Sequence, residues 1–150
     1  MTPDLETAYR DASESPGLAL WRVTNAWQRS IRAALAPHDL THVQFVLLAS
    51  LTWMDRSEPV TQRDLAAHAG TDVMMTSQVI RALEAKGYVA RAQHPTDGRA
   101  VALTPTPEGI AVANRANRDV EAADRAYFGA LRADDLRTFT RHLNTLDHQD

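Results

Sequence analysis

Gln78, Arg81 and Arg99 carry side chains of the kind that read nucleic acid. A glutamine amide can pair bidentately with adenine in the DNA major groove. Ser77 beside it can reach a base or a phosphate, and apolar groups such as those of Val73 and Met74 can touch thymine methyls. Arg99 stands just past the turn Pro95, Thr96, Asp97, Gly98 within the stretch ARAQHPTDGRAVAL. A surface hairpin needs no guanidinium at its tip to fold, and taken alone Arg99 reads as a solvated arginine. The negative potential of a narrow minor groove, by contrast, attracts an inserted arginine.

Other chemistries find less to work with. The chain has no cysteine, which excludes thiol catalysis, cysteine-zinc sites and a cysteine redox switch. His38 and His42 have metal-ligand spacing, but His38 precedes the expected helix start at Thr41, and a helical pair needs both on one helix. His68, His94, His142 and His148 have no ligand spacing. His94, next to the turn, reads equally as a phosphate contact and as a solvated loop histidine. There is no glycine-rich phosphate loop, no Ser/His/Asp arrangement and no carboxylate pair on a strand-rich scaffold, so no enzyme, cofactor or metal is expected.

The elements that must hold these residues follow from periodicity. Leu20, Val23, Thr24, Trp27, Ile31 and Leu35 recur at three- and four-residue steps, which predicts an amphipathic helix ending near Pro37, with Trp21 off its stripe. Thr41 can cap a second helix whose apolar set (Val43, Phe45, Val46, Leu47, Leu48, Leu51) is too broad for one face, so it should be central and buried. After the polar link DRSEP, Thr61 and Asp64 form an imperfect capping box for a short helix, QRDLAAHA, that stops at Gly70. Asp72 caps the next helix, which runs to Gly87. Its Thr76, Val79, Ile80 and Leu83 share one side, with Met75 read as core filler one turn before Val79. Val73, Met74, Ser77, Gln78 and Arg81 share the other, which should face outward. The three tryptophans, Trp21, Trp27 and Trp53, read most simply as core or interface residues.

Charge supports the same division. The whole chain carries a formal charge of −3, yet between Thr61 and Pro105 the cations Arg63, Arg81, Lys86, Arg91 and Arg99 outnumber the anions Asp64, Asp72, Glu84 and Asp97 by one. A mildly basic middle between acidic ends suits a binding module on an acidic scaffold. The polar, acidic N-terminus MTPDLETAYRDASESPG has no apolar signal region, and no apolar run approaches a membrane span, so a cytoplasmic location is expected.

Helix, glycine turn, helix with a short-chained outer face, then hairpin is the layout of a winged helix-turn-helix. From about Leu18 to about Leu146 the chain resembles the MarR family of bacterial transcriptional regulators. The resemblance is carried by LTHVQFVLLASL, VTQRDLAAHAG, TSQVIRALEAKGYVAR, the wing tip DGRA and TPEG, whose order and spacing are specific together. It implies that Arg99 enters the minor groove with Asp97 orienting it, and that terminal helices of two protomers interlock. The expected DNA-facing set is Thr61, Gln62, Val73, Met74, Ser77, Gln78, Arg81, His94, Asp97, Gly98 and Arg99. The sequence departs from the family at LTPTPEG, where Pro105 replaces the usual leucine; because proline donates no backbone hydrogen bond, the second wing strand should end by Thr104.

Residues 1–150 thus read as one mainly α protomer with a small β-hairpin wing. Residues 16–36 and 107–147 form dimerisation helices and 41–105 the winged helix-turn-helix. In the C-terminal part, Thr106 and Pro107 open a long helix through Ile110, Ala113, Val120, Ala123, Tyr127 and Leu131. RADDL then restarts a final helix with Leu136, Phe139, Leu143 and Leu146 as its stripe. These faces exceed what one small winged domain can cover, which points to a two-fold homodimer on an inverted-repeat operator in double-stranded DNA, with repression the outcome the family implies. Family analogy, with Trp21 and His42 as aromatic wall and titratable donor, places a small aromatic effector where the first two helices meet the dimerisation helices; packing at the dimer interface is the competing role for both residues. The alternative for the whole chain is a winged module that binds protein without specific DNA binding.

Overall fold

The computed structural model describes residues 4–148. Six helices and a three-stranded antiparallel sheet follow one another as α1 (Pro16–Leu35), α2 (His42–Trp53), β1 (Val60–Thr61), α3 (Gln62–Ala69), α4 (Val73–Ala85), β2 (Val89–Gln93), β3 (Val101–Pro105), α5 (Pro107–Phe128) and α6 (Ala133–Asp147). Short 3₁₀ turns precede and follow α1. No described helix is long and apolar enough to cross a membrane.

The organising element is α2, as its broad apolar set predicts. Leu47, Leu48 and Leu51 are completely buried. Around them close Ile31 and Leu35 of α1, Leu65 of α3, Ile80 and Leu83 of α4, Leu103 of β3, and Val112, Ala113 and Ala116 of α5. Thr41 starts α2 with a complete capping box: its hydroxyl accepts from Gln44 N–H at 3.2 Å while the Gln44 amide oxygen accepts from Thr41 N–H at 3.2 Å. At the far end the Arg56 guanidinium donates to the carbonyls of Leu51 and Thr52 at 2.7 and 2.8 Å, satisfying acceptors that the helix leaves open.

The sheet has the order β1-β3-β2, and its β1 strand has no counterpart in the sequence reading. Two residues are too few for an alternating pattern to register; the pairing of Val60 with Leu103 and of Thr61 with Ala102 defines the strand. The second wing strand does not end at Thr104 as expected but continues through Pro105, opposite Val89. Thr106 N–H donates to Tyr88 O at 3.0 Å, which makes Val89 and Pro105 a non-hydrogen-bonded pair. Such a position asks no N–H of the proline.

Two other expectations are corrected. α5 stops at Phe128, and Leu131 lies in the turn before α6, which follows Gly129. Met75 is not core filler: it is 39% exposed, because Val79 already lies at the margin of the buried stripe and Met75 is one turn further out. Of the tryptophans read as core or interface residues, Trp27 is half-buried and packs against the core, while Trp21 and Trp53, 68% and 86% exposed, are outside it.

At the base of the wing, α4 ends in a Schellman motif. Gly87, at φ 78°, donates to Glu84 O, and Tyr88 N–H returns to Leu83 O at 2.9 Å. The start of α5 is docked there: Thr106 Oγ1 donates to Gly87 O at 2.6 Å and accepts from Gly109 N–H at 3.0 Å. Gly109 is buried so tightly that a Cβ would lie 2.0 Å from Tyr88 O. Gly109→Ala is therefore expected to destabilise the fold by at least roughly 1–3 kcal/mol through overpacking against backbone. Gly17→Ala, on an open helical face, should be neutral or slightly stabilising. Thermal unfolding of the two variants side by side measures the difference, and equal midpoints would count against the docking contact.

Candidate nucleic-acid interface

The helix-turn-helix is assembled from local hydrogen bonds that the sequence prescribes. Thr61 Oγ1 accepts from Asp64 N–H at 3.2 Å and Asp64 Oδ2 accepts from Thr61 N–H at 2.9 Å, so the Asp64 box closes despite the short side chain. These bonds hold the Asp64 carboxyl below its ordinary value. Gly70, at φ 68°, ends α3 in the left-handed region, and Asp72 Oδ2 accepts from Met75 N–H at 2.9 Å to open α4. The one buried polar side chain among the described residues, Thr76, donates to Asp72 O at 2.7 Å and meets Thr71 Oγ1 at 2.7 Å, which ties the turn to α4.

The outer face of α4 is as expected except at Ser77. Val73, Met74, Gln78 and Arg81 are exposed, whereas Ser77 is half-buried. Met74, Gln78 and Arg81, spaced four and three apart, make one row along the helix.

The wing tip is closed by its own side chains. His94 Nδ1 accepts from Thr96 N–H at 3.2 Å and from Asp97 N–H at 3.1 Å, which puts the ring proton on Nε2. His94 is thus half-buried and caps the turn through one nitrogen. Asp97 Oδ1 accepts from Arg99 N–H at 3.0 Å, so the aspartate holds the backbone of the arginine and leaves its guanidinium free. Gly98 has no positive φ and room for a Cβ, so no backbone strain requires glycine there.

A cleft of about 420 Å³ joins the two halves. Thr61, Gln62 and Val73 from the helix-turn-helix face Asp97 and Arg99 from the wing across it. Arg63, absent from the expected set, lines it too; only its proximity to Arg99 in space marks it. The five cations of this region divide by role. Lys86 binds Asp39 O and Gln44, and Arg91 pairs with Glu84, whereas Arg63, Arg81 and Arg99 form no ion pair among the described residues. The free cations are those on the outer face and the wing cleft.

A second cleft, of about 520 Å³, opens between α1, α2 and the α3–α4 turn, lined by Trp27, Gln28, Arg32, Thr41, His42, Val43, Val46, Ala69 and Thr71. His42 is there as expected, but Trp21 is not. The aromatic partner is Trp27, whose ring stands edge-on to His42 at 5.2 Å between centroids and whose Nε1 donates to Asp124 at 2.8 Å. Trp21 lies nearly two turns earlier on an exposed face of α1, where helical phase turns it from the cleft. Burial first, then repulsion from Arg32, lowers the His42 pKa from its ordinary 6.5, against a smaller opposing pull from Asp124. His38 instead meets Asp119 of α5 at 2.6 Å, and no cluster of three or more potential ligands occurs among the described residues.

Residues 40–101 match the sequence model of the MarR family. The uncharacterized HTH-type transcriptional regulator YdcH of Bacillus subtilis is 47% identical over 117 residues, which span 77% of this chain and 80% of that protein. The HTH-type transcriptional repressor Rv2887 of Mycobacterium tuberculosis is 36% identical over 90% of this chain and 96% of its own length. Its crystal structures in complex with salicylic acid and with DNA superpose on this fold with TM-scores of 0.68 and 0.67, at 36% and 34% identity, each covering 91% of this chain and 98% of the other. Identity at this coverage, on the same winged architecture, makes the chain a member of the MarR family of transcriptional regulators.

Proposed function

We propose that the chain is a repressor that binds an inverted-repeat operator as a homodimer and is released by a small aromatic carboxylate. The observation that carries the DNA reading is the exposed Met74, Gln78 and Arg81 row of α4 together with an unpaired Arg99 in the wing cleft, which Val73 at the start of the same helix also lines. In this arrangement Gln78 and Met74 read base edges in the major groove. Arg99 enters the minor groove, and Arg63 and Arg81 hold phosphates. Thr61 and Gln62 approach the backbone at the start of α3, with Ser77 and the free His94 Nε2–H as further polar contacts. DNA bound to Rv2887 supports the reading by relationship.

Dimerisation is supported by what one protomer leaves uncovered. No residue of α6 is buried, although it carries a stripe of Leu136, Phe139, Leu143 and Leu146. A 15-residue helix with an open apolar stripe is marginal by itself and needs a cover. Leu18, Leu20, Trp21 and Val23 on α1 are exposed in the same way. A second copy covers both, with 16–36 and 107–147 as dimerisation segments and 41–105 as the reading head.

The effector reading rests on the α1–α2 cleft, where Trp27 supplies an aromatic wall and Arg32 a cation for a carboxylate. Ala69 and Thr71 line the same cleft immediately before the cap of α4, so an occupant touches the segment that sets the recognition helix. The effector must prefer the DNA-incompetent dimer, since equal affinity for both forms shifts nothing.

The operator prediction is a dimer in sedimentation and protection of two half-sites centred ~34 Å apart on duplexes selected from a random pool. Arg99→Ala should weaken operator binding substantially with dimerisation and melting temperature unchanged, and Gln78→Ala should relax preference at one position per half-site by roughly 1–3 kcal/mol. A stable monomer with equal affinity for any duplex would refute the reading.

For the effector, salicylate titrated against tryptophan fluorescence and operator binding should lower DNA affinity, and Arg32→Ala should weaken that response roughly tenfold by loss of a charge-assisted bond. A bound anion raises the depressed His42 pKa, so binding takes up a proton. Affinity therefore tightens as pH falls toward the depressed value and levels off below it. An unaltered response in Arg32→Ala would move the site elsewhere.

A further inference from the structure

We propose that Met74 and Met75 form an oxidant-responsive modification site, whose conversion to methionine sulfoxide by a hypohalous acid keeps the free dimer from binding DNA. The inference rests on the reading that the outer face of α4 enters the major groove. The chain has no cysteine to take up oxidant first. Met74 is 75% exposed and Met75 39%, consecutive in the first turn of α4, and Met74 shares its row with Gln78 and Arg81. Met54, by contrast, is half-buried against the core and off this face.

The chemistry is balanced by the oxidant alone. With hypochlorous acid an S–O bond forms as the O–Cl bond breaks, and chloride and a proton leave. The thioether sulfur is oxidised by two electrons and the chlorine reduced by two. The product carries a strongly accepting oxygen where a soft apolar group stood. The floor of the major groove at A·T pairs offers mainly acceptors, adenine N7 and thymine O4, along with the thymine methyl that suits a thioether. The sulfoxide loses the methyl contact and sets acceptor against acceptor. The adenine amino group is the one donor there, and Gln78, a turn further along the row, competes for it. Bound DNA covers Met74 and closes over the first turn of α4 that also carries Met75, so a protein on its operator is shielded while the free dimer is open to attack.

The test uses the full-length dimer and an operator selected from a random pool. A few equivalents of hypochlorous acid should add one oxygen each at Met74 and Met75 by peptide mass spectrometry, sparing Met54, and should lower operator affinity at least about tenfold. A- and B-type methionine sulfoxide reductases together should restore it, and operator bound beforehand should suppress the modification. Met74→Leu/Met75→Leu, compared before and after treatment with itself, should change less than about twofold. Equal loss in that variant, loss that the reductases do not reverse, or sulfoxide at Met74 with undiminished affinity would overturn the proposal. If α4 does not face DNA, the failure is distinct: the untreated protein binds its operator while both methionines stay as reactive as in the free dimer. Restoration of the native chain by the reductases is read independently of whether the leucine variant folds.

Discussion

Burial of α2 is the constraint on which the rest of the molecule depends. Leu47, Leu48 and Leu51 have no solvent contact, and they can lose it only if α1, α3, α4, β3 and α5 all close around them. Each fully buried leucine contributes roughly 1.5–3 kcal/mol relative to exposure. One helix therefore fixes the relative positions of the reading head and the long C-terminal helix. α4 is held from behind by Ile80 and Leu83, which frees its opposite face from any structural duty.

The same separation of duties recurs in the wing. The turn is closed by His94 and Asp97 through backbone amides, so the Arg99 side chain contributes no hydrogen bond to the local fold. Lys86 and Arg91 are spent on internal contacts at the base of the same region. A net charge near zero over the reading head thus coexists with free guanidinium groups on its outer face, because the carboxylates of Asp64, Asp72 and Asp97 are turned to helix caps and a turn. Charge counted along a sequence misses this, since these carboxylates are engaged with backbone amides, whereas Glu84 is paired directly with a guanidinium, that of Arg91.

In the proposed function the α1–α2 cleft is the mechanical link between effector and DNA. Its walls belong to the scaffold, at Trp27 and His42, and to the turn that leads into α4, at Ala69 and Thr71. Thr71 in turn meets the buried Thr76 hydroxyl, so this turn is tied to α4 by a hydrogen bond anchored in the core. Trp27 is anchored to α5 through Asp124, and His38 to the same helix through Asp119, which ties that wall of the cleft to a helix proposed to face the partner. Coupling through such contacts needs two discrete arrangements of the turn, and a packed core favours discrete arrangements over continuous deformation.

What the sequence determined alone was whatever depends on neighbours within a few residues. The caps at Thr41, Thr61, Asp72 and Thr106, the glycine stops at Gly70 and Gly87, the phase of the α4 stripe and the wing turn are all local hydrogen-bond or periodicity problems, and the chain states their solutions directly. What needed the tertiary structure were relations between distant segments. The β1 strand exists through its pairing with β3, and Pro105 stays in its strand because Thr106 bonds to Tyr88 beside it. Met75 falls outside the core because that core ends at the margin marked by Val79. Trp27 and not Trp21 faces His42, and Arg63 joins Arg99, because helix phase and the crossing of α1 on α2 decide which side chains share a space. Residue type sets what a side chain can do, but only the packing of one element on another sets what it stands beside.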